Sequence, residues 1–376
     1  SSENSIVNHN RLTGANGGDW KRGINNTESN QNAVVNYNYI DVSAQTAGGN
    51  YIDQYGIEVH DSKIIGDSIF VYINSSYGSD GRGIRADRSI IDSNYVNLQD
   101  HYSGGGVSYA IESYGNSDDR PTITNNTIVA TRETVGIWAS YADIENNHIE
   151  KGPNNNNDQW AIGHGDYNVI TNNTIVDMAL GIYVDNRWDN TITNNTMSVR
   201  YWGIYANNAQ GSHLYRNNVI TKNSNDWFVY VTNTNDVMID SNRFIGTGTN
   251  SSNRGIYLNN TAGNIKHNLI ITPGRGIEIT NQAGSSVQNN TLISISDGDY
   301  GMHITNLSTP SITNNIIQGY NKGIYAESTT PQYNNTPMGP NLFYDINSEL
   351  FSGENLPVLI GSMVDENANG HISDIY

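Results

Sequence analysis

Residues 170–205 read ITNNTIVDMALGIYVDNRWDNTITNNTMSVRYWGIY, and the same short pattern occurs in them twice. The first copy is an apolar-x-x-Asn-x-apolar template formed by Ile170, Asn173 and Ile175, and the second copy is centred on Asn195. Gly-Ile-Tyr follows each copy at a similar distance. Self-similarity of this kind is the sequence signature of a repeat protein.

The template recurs along most of the chain, with 20 to 32 residues between the central positions of successive copies. Each repeat holds short segments of alternating apolar residues between Asn, Gly, Ser and Asp, which is typical of strands and turns. Asn tolerates the left-handed backbone conformation of a tight turn, and stacked Asn side chains can hydrogen-bond along an axis. We therefore interpret the central column as a structural Asn ladder. Its members are Asn10, Asn38, Asp67, Asn94, Asn126, Asn147, Asn173, Asn195, Asn218, Asn242, Asn268, Asn290 and Asn315, with a degenerate last copy at Asn335.

A stacked strand-and-turn repeat resembles the coil of a right-handed parallel β-helix. The Asn-Asn-Thr-Ile and Gly-Ile-Tyr units resemble those of CASH-type proteins, the carbohydrate-binding and sugar-hydrolysis repeats. The resemblance implies an all-β, single-stranded right-handed parallel β-helix of about 13 rungs. We expect this β-helix to span residues 1–336, with residues 337–376 as a C-terminal cap or junction segment. Because the chain begins directly in a repeat, neighbouring domains of a longer chain are expected.

Composition limits the classes of protein that fit. The 376 residues include no Cys, which excludes a disulfide framework and a thiolate metal site. With 19 basic and 37 acidic residues the formal net charge is −18, and an acidic chain repels nucleic acid and anionic membranes. No segment approaches the about 18 apolar residues of a spanning helix. We therefore expect a secreted or cell-surface protein with no nucleic-acid partner and no membrane insertion.

Two insertions interrupt the repeats, one between Asn94 and Asn126 and one at Asn154–Asp158. Insertions in solenoids form loops on one face, which is often the binding face. We expect these two loops to flank a binding surface.

Aligning the repeats on Gly-Ile gives two columns on the outside of the coil, because equivalent residues of adjacent rungs lie about 4.8 Å apart. The column after the Ile reads Glu58, Arg85, Glu112, Trp138, Gly163, Tyr183, Tyr205, Tyr230, Tyr257, Glu278, His303 and Tyr325. The column before the Gly, which we place at a turn edge, reads Arg22, Tyr55, Arg82, Tyr109, Val135, Trp160, Leu180, Trp202, Trp227, Arg254, Arg275, Tyr300 and Lys322.

The middle of these columns is aromatic and predicts a polysaccharide-binding stripe. Sugar rings stack on flat aromatic faces, while the polar tips of Tyr and Trp bond hydroxyl groups. The arginines could neutralise substrate carboxylates or form ordinary surface ion pairs with Glu58, Glu112 and Glu278. The rings could equally serve only to stabilise neighbouring strands. The predicted substrate-binding residues are Trp138, Trp160, Tyr183, Trp202, Tyr205, Trp227, Tyr230, Tyr257, Arg254 and Arg275.

Residues 55–61, YGIEVHD, resemble the YGFDPHE motif of mannuronan C5-epimerases. Glu58 stands where that family has Asp, and Val59 stands where it has Pro. The resemblance implies that Tyr55 and His60 act as the acid/base pair on the C5 proton of a uronate.

Arg85 and His164 complete the candidate catalytic set. Removing a proton beside a carboxylate requires stabilisation of the enolate charge, which Arg82 or Arg85 could supply. His164 lies at an inward-facing position between two glycines, where other rungs carry Val, Ala or Leu. It is either a site residue or a buried, hydrogen-bonded His. If the protein is an enzyme, we expect a polysaccharide lyase or uronate epimerase.

Calcium is the one cofactor that the sequence suggests. Asp365, Asn367 and Asn369 place oxygen ligands at alternate positions before a Gly, as at the start of a calcium loop. The twelfth position is Tyr376 instead of a bidentate Glu, so a plain turn fits equally well.

Two functions remain open from the sequence. The first is an exported protein that binds, and cleaves or epimerises, an extracellular polysaccharide along the aromatic stripe. The second is a non-catalytic structural or adhesive module, such as a phage tailspike-like fibre, for which a homotrimer is expected.

Overall fold

The structure is a computed structural model that describes residues 5–14, 20–26, 32–45, 52–74, 79–100, 107–131, 134–153, 160–163, 165–222, 224, 226–248, 253–281, 283–327, 337–355, 358–359 and 363–364. The chain divides into two compact units, residues 1–183 (unit 1) and residues 184–376 (unit 2). Every regular element of the described residues is a β-strand. Accordingly, this part of the chain holds no helix long and apolar enough to cross a membrane.

Unit 1 consists of three columns of strands, and within a column each strand pairs in parallel with its equivalent one turn later. The first column contains β1 (Ile6–Asn8), β4 (Val34–Asn36), β7 (Lys63–Ile65), β10 (Ile90–Asp92), β13 (Thr122–Thr124), β16 (Asp143–Glu145) and β19 (Val169–Thr171). The second contains β2 (Arg11–Thr13), β5 (Tyr39–Gln45), β8 (Ser68–Asn74), β11 (Tyr95–Asp100), β14 (Thr127–Ala130), β17 (His148–Lys151) and β20 (Thr174–Met178). The third contains β3 (Trp20–Asn26), β6 (Ile52–His60), β9 (Ser79–Asp87), β12 (Ser108–Tyr114), β15 (Thr134–Ser140), β18 (Trp160–Gly163) and the start of β21 (Leu180–Asp185).

Unit 2 has the same three-column arrangement. The first column contains β22 (Thr191–Thr193), β25 (Ser212–Arg216), β28 (Asp236–Asp240), β31 (Ala262–Lys266), β34 (Ala283–Gln288) and β36 (Thr309–Thr313). The second contains β23 (Thr196–Val199), β26 (Val219–Lys222), β29 (Arg243–Gly246), β32 (Leu269–Thr272), β39 (Leu342–Tyr344) and β42 (Met363–Val364). The third contains β24 (Ile204–Asn207), β27 (Trp227–Thr232), β30 (Arg254–Asn259), β33 (Ile277–Thr280) and β40 (Glu349–Gly353). Two long strands, β35 (Thr291–Thr305) and β37 (Ile316–Glu327), run through the second and third columns, and β38 (Pro337–Met338) pairs with β41 (Val358–Leu359).

The core is built from apolar residues at the same position of successive turns. Ile91 pairs with Ile64 on one side and Ile123 on the other, and all three are 0% exposed. Each side chain is thus covered by copies of itself, as in other solenoids. Parallel strands joined by crossovers are almost always right-handed. The predicted fold class, an all-β right-handed parallel β-helix, is confirmed. The number of turns is about 11, whereas the sequence predicted about 13.

The Asn ladder divides two tasks between adjacent residues. The backbone N and the Nδ2 of Asn195 both donate to Asn218 Oδ1 at 3.0 Å, and Asn218 donates to Asn242 Oδ1 in the same way at 2.9 and 3.0 Å. The left-handed backbone belongs to the preceding residues, Asn194 (φ 58°) and Asn217 (φ 54°). Our expectation that the ladder residue itself adopts that conformation is therefore wrong. The turn needs a left-handed residue, and the interior needs an amide one position later.

A second buried polar ladder was not predicted. The backbone N of Ser62 donates to Ser89 Oγ at 3.0 Å in unit 1, and the backbone N of Asn190 donates to His213 Nδ1 at 3.2 Å in unit 2. Ser, Thr, Asn and His all accept a backbone N–H. Because several residue types fill the same role, this ladder leaves no repeated letter in the sequence.

The Asn ladder continues beyond residue 336. The backbone N and Nδ2 of Asn315 each donate to Asn341 Oδ1 at 3.0 Å, so Asn341 is the next ladder residue. Asn335, which the sequence suggested, lies outside the described residues. Strands β39 and β40 pair with β37. The cap or junction at 337–376 stays a prediction.

Candidate functional site

The outer surface of the third strand column carries charged and aromatic side chains because one glycine shifts the strand alternation. A Cβ at Gly56 of β6 would lie 2.5 Å from the core side chain of Ile69, and the neighbouring Ile57 is also buried. Gly56 and Ile57 therefore both face inward. Tyr55 and Glu58 lie on the outer face of the strand, where neighbouring side chains cover them to 4% and 5% exposure. The expectation that the position before the Gly sits at a turn edge is wrong here, since Tyr55 lies inside β6.

Three successive strands align these outward positions. Glu58, Arg85 and Glu112 pair in register on β6, β9 and β12. Tyr55, Arg82 and Tyr109 pair in register at the position before the Gly or its Ala equivalent. We refer to these six residues as the Arg–Glu face of unit 1.

Ion pairs hold the Arg–Glu face together. Arg85 lies between two carboxylates, with Nη1 3.7 Å from Glu58 Oε1 and Nε 3.8 Å from Glu112 Oε2. Arg22 Nη1 lies 2.8 Å from Glu58 Oε2, and Arg82 Nε donates to Glu112 Oε2. Both glutamates are only 5% exposed, so solvent screens these pairs less than surface pairs.

Tyr55 is enclosed by arginines. The Cζ atoms of Arg22 and Arg82 lie 5.0 and 5.1 Å from its ring centroid, which is a cation–π geometry. The Tyr55 hydroxyl also forms a hydrogen bond with Arg85. Burial opposes the charge on Arg82, but the Glu112 carboxylate outweighs it and raises the pKa of Arg82. The ring of Tyr55 therefore lies between guanidinium groups that are themselves paired with carboxylates.

A third outward row follows on the same strands. His60 Nδ1 lies 3.2 Å from Asp87 Oδ2. Tyr114 Oη donates to Glu112 Oε1 at 3.0 Å and accepts from Trp138 Nε1 at 3.0 Å. Burial raises the pKa of Asp87. Asp87 and Tyr114 were not predicted from the sequence, although strand alternation places them two residues beyond the column that follows the Ile.

Aromatic rings extend the outer surface of unit 1. The Trp138 ring lies 5.2 Å from that of Tyr109 and 6.2 Å from that of Trp160. Trp160 stacks on Tyr183 with 4.3 Å between centroids and 20° between planes. Gly163 lies among them, because a Cβ there would come within 3.1 Å of Trp138. The rings of Trp138, Trp160 and Tyr183 are all half-buried.

In unit 2 four half-buried rings, Trp202, Tyr205, Tyr230 and Tyr257, form what we call the ring ladder. Tyr230 stacks on Tyr205 at 5.1 Å and 7°, and on Tyr257 at 5.0 Å and 20°. Trp202 lies 5.3 Å from Tyr205. Burial raises the pKa values of Tyr205 and Tyr230, and raises that of Tyr257 to about 12. The phenols stay neutral near pH 7 and can donate and accept hydrogen bonds.

Trp227 supports the ring ladder without forming part of its surface. It is 5% exposed, in contrast to the predicted outward ring. Its ring lies 5.0 Å from Tyr257, and Arg254 Cζ lies 5.1 Å from its centroid.

A second charged cluster of unit 2 surrounds Glu278. Arg275 Nη1 lies 2.5 Å from Glu278 Oε2 and its Cζ lies 5.4 Å from the Tyr300 ring. His303 lies between two carboxylates, with Nδ1 3.4 Å from Glu278 and Nε2 3.3 Å from Glu327. Burial opposes the charge on Glu278, but hydrogen bonds from His303 and Arg275 lower its pKa.

The structure brings together part of the predicted catalytic set. Tyr55 and Arg85 are hydrogen-bonded, whereas His60 pairs with Asp87 at the end of β6. His164 lies outside the described residues. The same is true of the calcium candidates Asp365, Asn367 and Asn369, and of most of the two predicted loops, at 101–106 and 154–159.

Coiled parallel strands with charged and aromatic residues on an outer surface define a parallel β-helix protein with a candidate ligand-binding surface. A family model described as periplasmic copper-binding protein (NosD) matches residues 166–355, just over half of the chain. The chain therefore belongs to the NosD family. No curated protein matches the sequence.

Solved structures share the fold at low sequence identity. A tailspike protein mutant of E. coli bacteriophage HK620, in complex with a pentasaccharide, is 10% identical with a TM-score of 0.60, covering 96% of this chain and 73% of that chain. A mutant of the periplasmic alginate epimerase AlgG is 12% identical, covering 81% and 77%, with a TM-score of 0.40. The Azotobacter vinelandii mannuronan C-5 epimerase AlgE6 A-module is 9% identical, covering 85% and 91%, with a TM-score of 0.37. The tailspike likeness shows the β-helix fold alone.

The residues that the structure describes do not fit a copper centre. They contain no group of three or more His, Cys, Asp or Glu side chains that could hold a metal ion. His213 is buried with Nδ1 accepting from Asn190 N at 3.2 Å and Nε2 3.0 Å from Gln210 O. Both ring nitrogens of His213 are therefore occupied by contacts with the backbone of the coil.

Proposed function

We propose that this protein binds a polysaccharide outside the cytoplasm, along the ring ladder of unit 2. The observation that carries the proposal is the stack of Tyr205, Tyr230 and Tyr257 at intervals of 5.1 and 5.0 Å. The periplasmic description of the NosD family supports the location.

The chemistry of the ring ladder suits a chain of sugars. Half-buried tyrosines give apolar ring area for stacking on pyranose faces, and their neutral hydroxyls can bond sugar hydroxyls. Stacking is rigid, so little side-chain entropy is lost when a ligand binds. A tailspike of the same fold was solved with a pentasaccharide, which supports the capacity of a β-helix to present such a surface.

The experiment is electrophoresis of the full chain in native gels that contain one of a panel of polysaccharides. We expect at least one polymer to retard the protein, and we expect Trp202→Ala and Tyr230→Ala to reduce the retardation. Tyr39→Ala is the matched control, because Tyr39 is a half-buried ring of the second strand column, with its centroid 5.2 Å from that of Phe70. Unretarded migration in every polymer would contradict the proposal and favour a structural or adhesive module.

A second candidate function is uronate chemistry at the Arg–Glu face, favoured by the hydrogen bond between Tyr55 and Arg85. In this candidate Tyr55, as the phenolate, accepts the C5 proton and Arg85 stabilises the enolate charge. A lyase then breaks the C4–O bond, the departing oxygen takes the proton from Tyr55, and a C4–C5 double bond remains. An epimerase instead returns a proton to the other face of C5 from His60.

Ultraviolet absorbance distinguishes the lyase, because the unsaturated sugar ends absorb and the intact polymers do not. Proton exchange from deuterated water into C5, followed by NMR, detects the epimerase. A flat absorbance and no deuterium uptake on any uronate polymer would remove this second candidate and leave the binding function intact.

A further inference from the structure

We propose that Arg254 recognises an anionic substituent, a carboxylate or a sulfate group, on the polysaccharide that lies along the ring ladder. This inference rests on the proposed function and adds the substrate class and the residue that selects it.

Arg254 differs from the other cations of the outer columns in its partners. Among the described residues it makes no ion pair, and its Cζ lies 5.1 Å from the Trp227 centroid. Arg275 has the same kind of ring contact, 5.4 Å from Tyr300, but pairs with Glu278. The remaining cations of that column, Arg22, Arg82 and Lys322, pair with Glu58, Glu112 and Glu349. Arg254 is therefore the member of this set that keeps its hydrogen-bond donors for a ligand.

The position of Arg254 is suited to a ligand on the ring ladder. Arg254 and Tyr257 lie on the same strand, β30, at the two outward positions that flank Gly-Ile. Trp227, which contacts Arg254 on one side, also contacts Tyr257 at 5.0 Å. A sugar ring stacked on Tyr257 would therefore carry its substituents next to the guanidinium.

Arg254 has a second basic side chain, Lys222, and a carboxylate, Asp226, in its surroundings. Lys222 is 2% exposed, with Nζ 3.3 Å from Tyr201 O and 5.2 Å from the Phe228 centroid. Burial lowers the pKa of Lys222 to about 7, and the charge of Arg254 acts in the same direction, opposed by Asp226. Asp226 acts more strongly on Lys222 than Arg254 does, and an anion bound at Arg254 would further favour the protonated form of Lys222.

An anion-binding position is notable because the protein as a whole carries a formal charge of −18. Long-range electrostatics oppose the approach of a polyanion. Selective binding of an acidic glycan therefore needs a local contact that outweighs the repulsion. The planar guanidinium can donate two parallel hydrogen bonds to a carboxylate or sulfate, and stacking on Trp227 orients it beforehand.

The test compares matched polymers by isothermal titration calorimetry with the full chain. The probes are polygalacturonate with its carboxyl-reduced neutral form, and dextran sulfate with dextran. We expect the wild type to bind one anionic polymer more tightly than its neutral partner, and Arg254→Gln to weaken that binding about tenfold, the loss of one charge-assisted contact. Binding of the neutral polymer should be unchanged. Preference in the first pair identifies a carboxylate, and preference in the second identifies a sulfate.

Lys322→Gln is the matched control, because it removes a cation of the same column that lies over a ring, Tyr325, and already has a carboxylate partner, Glu349. We expect it to leave the preference for the anionic polymer in place. Arg254→Lys keeps the charge without the planar fork and should show an intermediate loss, which also covers the case that Arg254→Gln folds poorly. Equal binding of anionic and neutral polymers, unchanged by Arg254→Gln, would overturn this inference and leave polysaccharide binding standing. Absence of binding to all four polymers and to the wider gel panel would overturn both.

Discussion

Asp67 Oδ1 accepts two hydrogen bonds from Asn38, at 2.7 Å from the backbone N and 2.8 Å from Nδ2. Asp67 is the one acidic residue in the predicted Asn column. Its other oxygen, Oδ2, is buried with no hydrogen-bond partner among the described residues. In the neighbouring copy the corresponding Nδ2 of Asn94 donates to Ile64 O and to Asn126 Oδ1 at 3.0 Å. Asp67 Oδ2 thus stands where the neighbouring copy of the ladder has an Nδ2 donor.

We predict that Asp67→Asn stabilises the protein near pH 7 by about 1–3 kcal/mol, the cost of leaving a buried polar group unsatisfied. Burial raises the pKa of Asp67, so the folded state holds its proton more tightly than the unfolded state. Its contribution to stability is greatest below the unfolded pKa of about 3.9 and is lost as the pH rises through the folded pKa. Urea unfolding between pH 4 and pH 8 should show the advantage of Asp67→Asn growing with pH. An advantage that is constant with pH would show that Asp67 does not titrate as described.

Because the two residues of each Asn-Asn pair have different tasks, substitutions at neighbouring positions should change the free energy of unfolding by different amounts. Asn218→Ala removes the hydrogen bond from Nδ2 to Asn242 Oδ1. It also removes the oxygen that accepts from the backbone N and Nδ2 of Asn195, so two buried donors lose this partner and we expect a loss of about 1–3 kcal/mol. Asn217 is exposed with φ 54°, a conformation that Gly adopts freely, so Asn217→Gly should change the free energy of unfolding by less than about 1 kcal/mol. Denaturant unfolding measures both. Equal losses would contradict the division.

The contribution of an ion pair to the free energy of unfolding should depend on how deeply the pair is buried. The Glu112 side chain is 7% exposed and pairs with Arg82 and Arg85, and Glu112→Gln should cost about 2–4 kcal/mol because buried positive charge loses its partner. The Glu349 side chain is 51% exposed and pairs with Lys322 at 3.0 Å. Glu349→Gln should therefore change stability by less than about 1 kcal/mol. A similar cost for both variants would show that the Arg–Glu face gains nothing from its burial.

The coil was predictable because every turn has the same physical requirement, which the same residue types satisfy. An amide is needed once per turn and an apolar residue is needed beside it, so Asn195 and Ile192 have copies throughout the chain. The second ladder was not predictable from letters. Ser89 and His213 occupy equivalent roles with different side chains, because the backbone N–H that each accepts requires only an acceptor.

For the outward columns, the sequence predicted which residues pair between adjacent strands, but not how exposed each side chain is. The pairing of Glu58 with Arg85 and of Tyr230 with Tyr257 follows from the repeat alone. Burial depends on neighbours in space. Trp227 is covered by Arg254 and Tyr257, so a residue expected on the surface is buried.

The most direct test of the central claim is calorimetric titration of the full chain with the polysaccharide that most retards it in native gels. The wild type should bind, and Tyr230→Ala should weaken binding by about 5- to 30-fold, which corresponds to the 1–2 kcal/mol of one lost stacking surface. Tyr39→Ala should bind as the wild type does. Equal affinity of the wild type and Tyr230→Ala would contradict the claim that the ring ladder is where the polysaccharide binds.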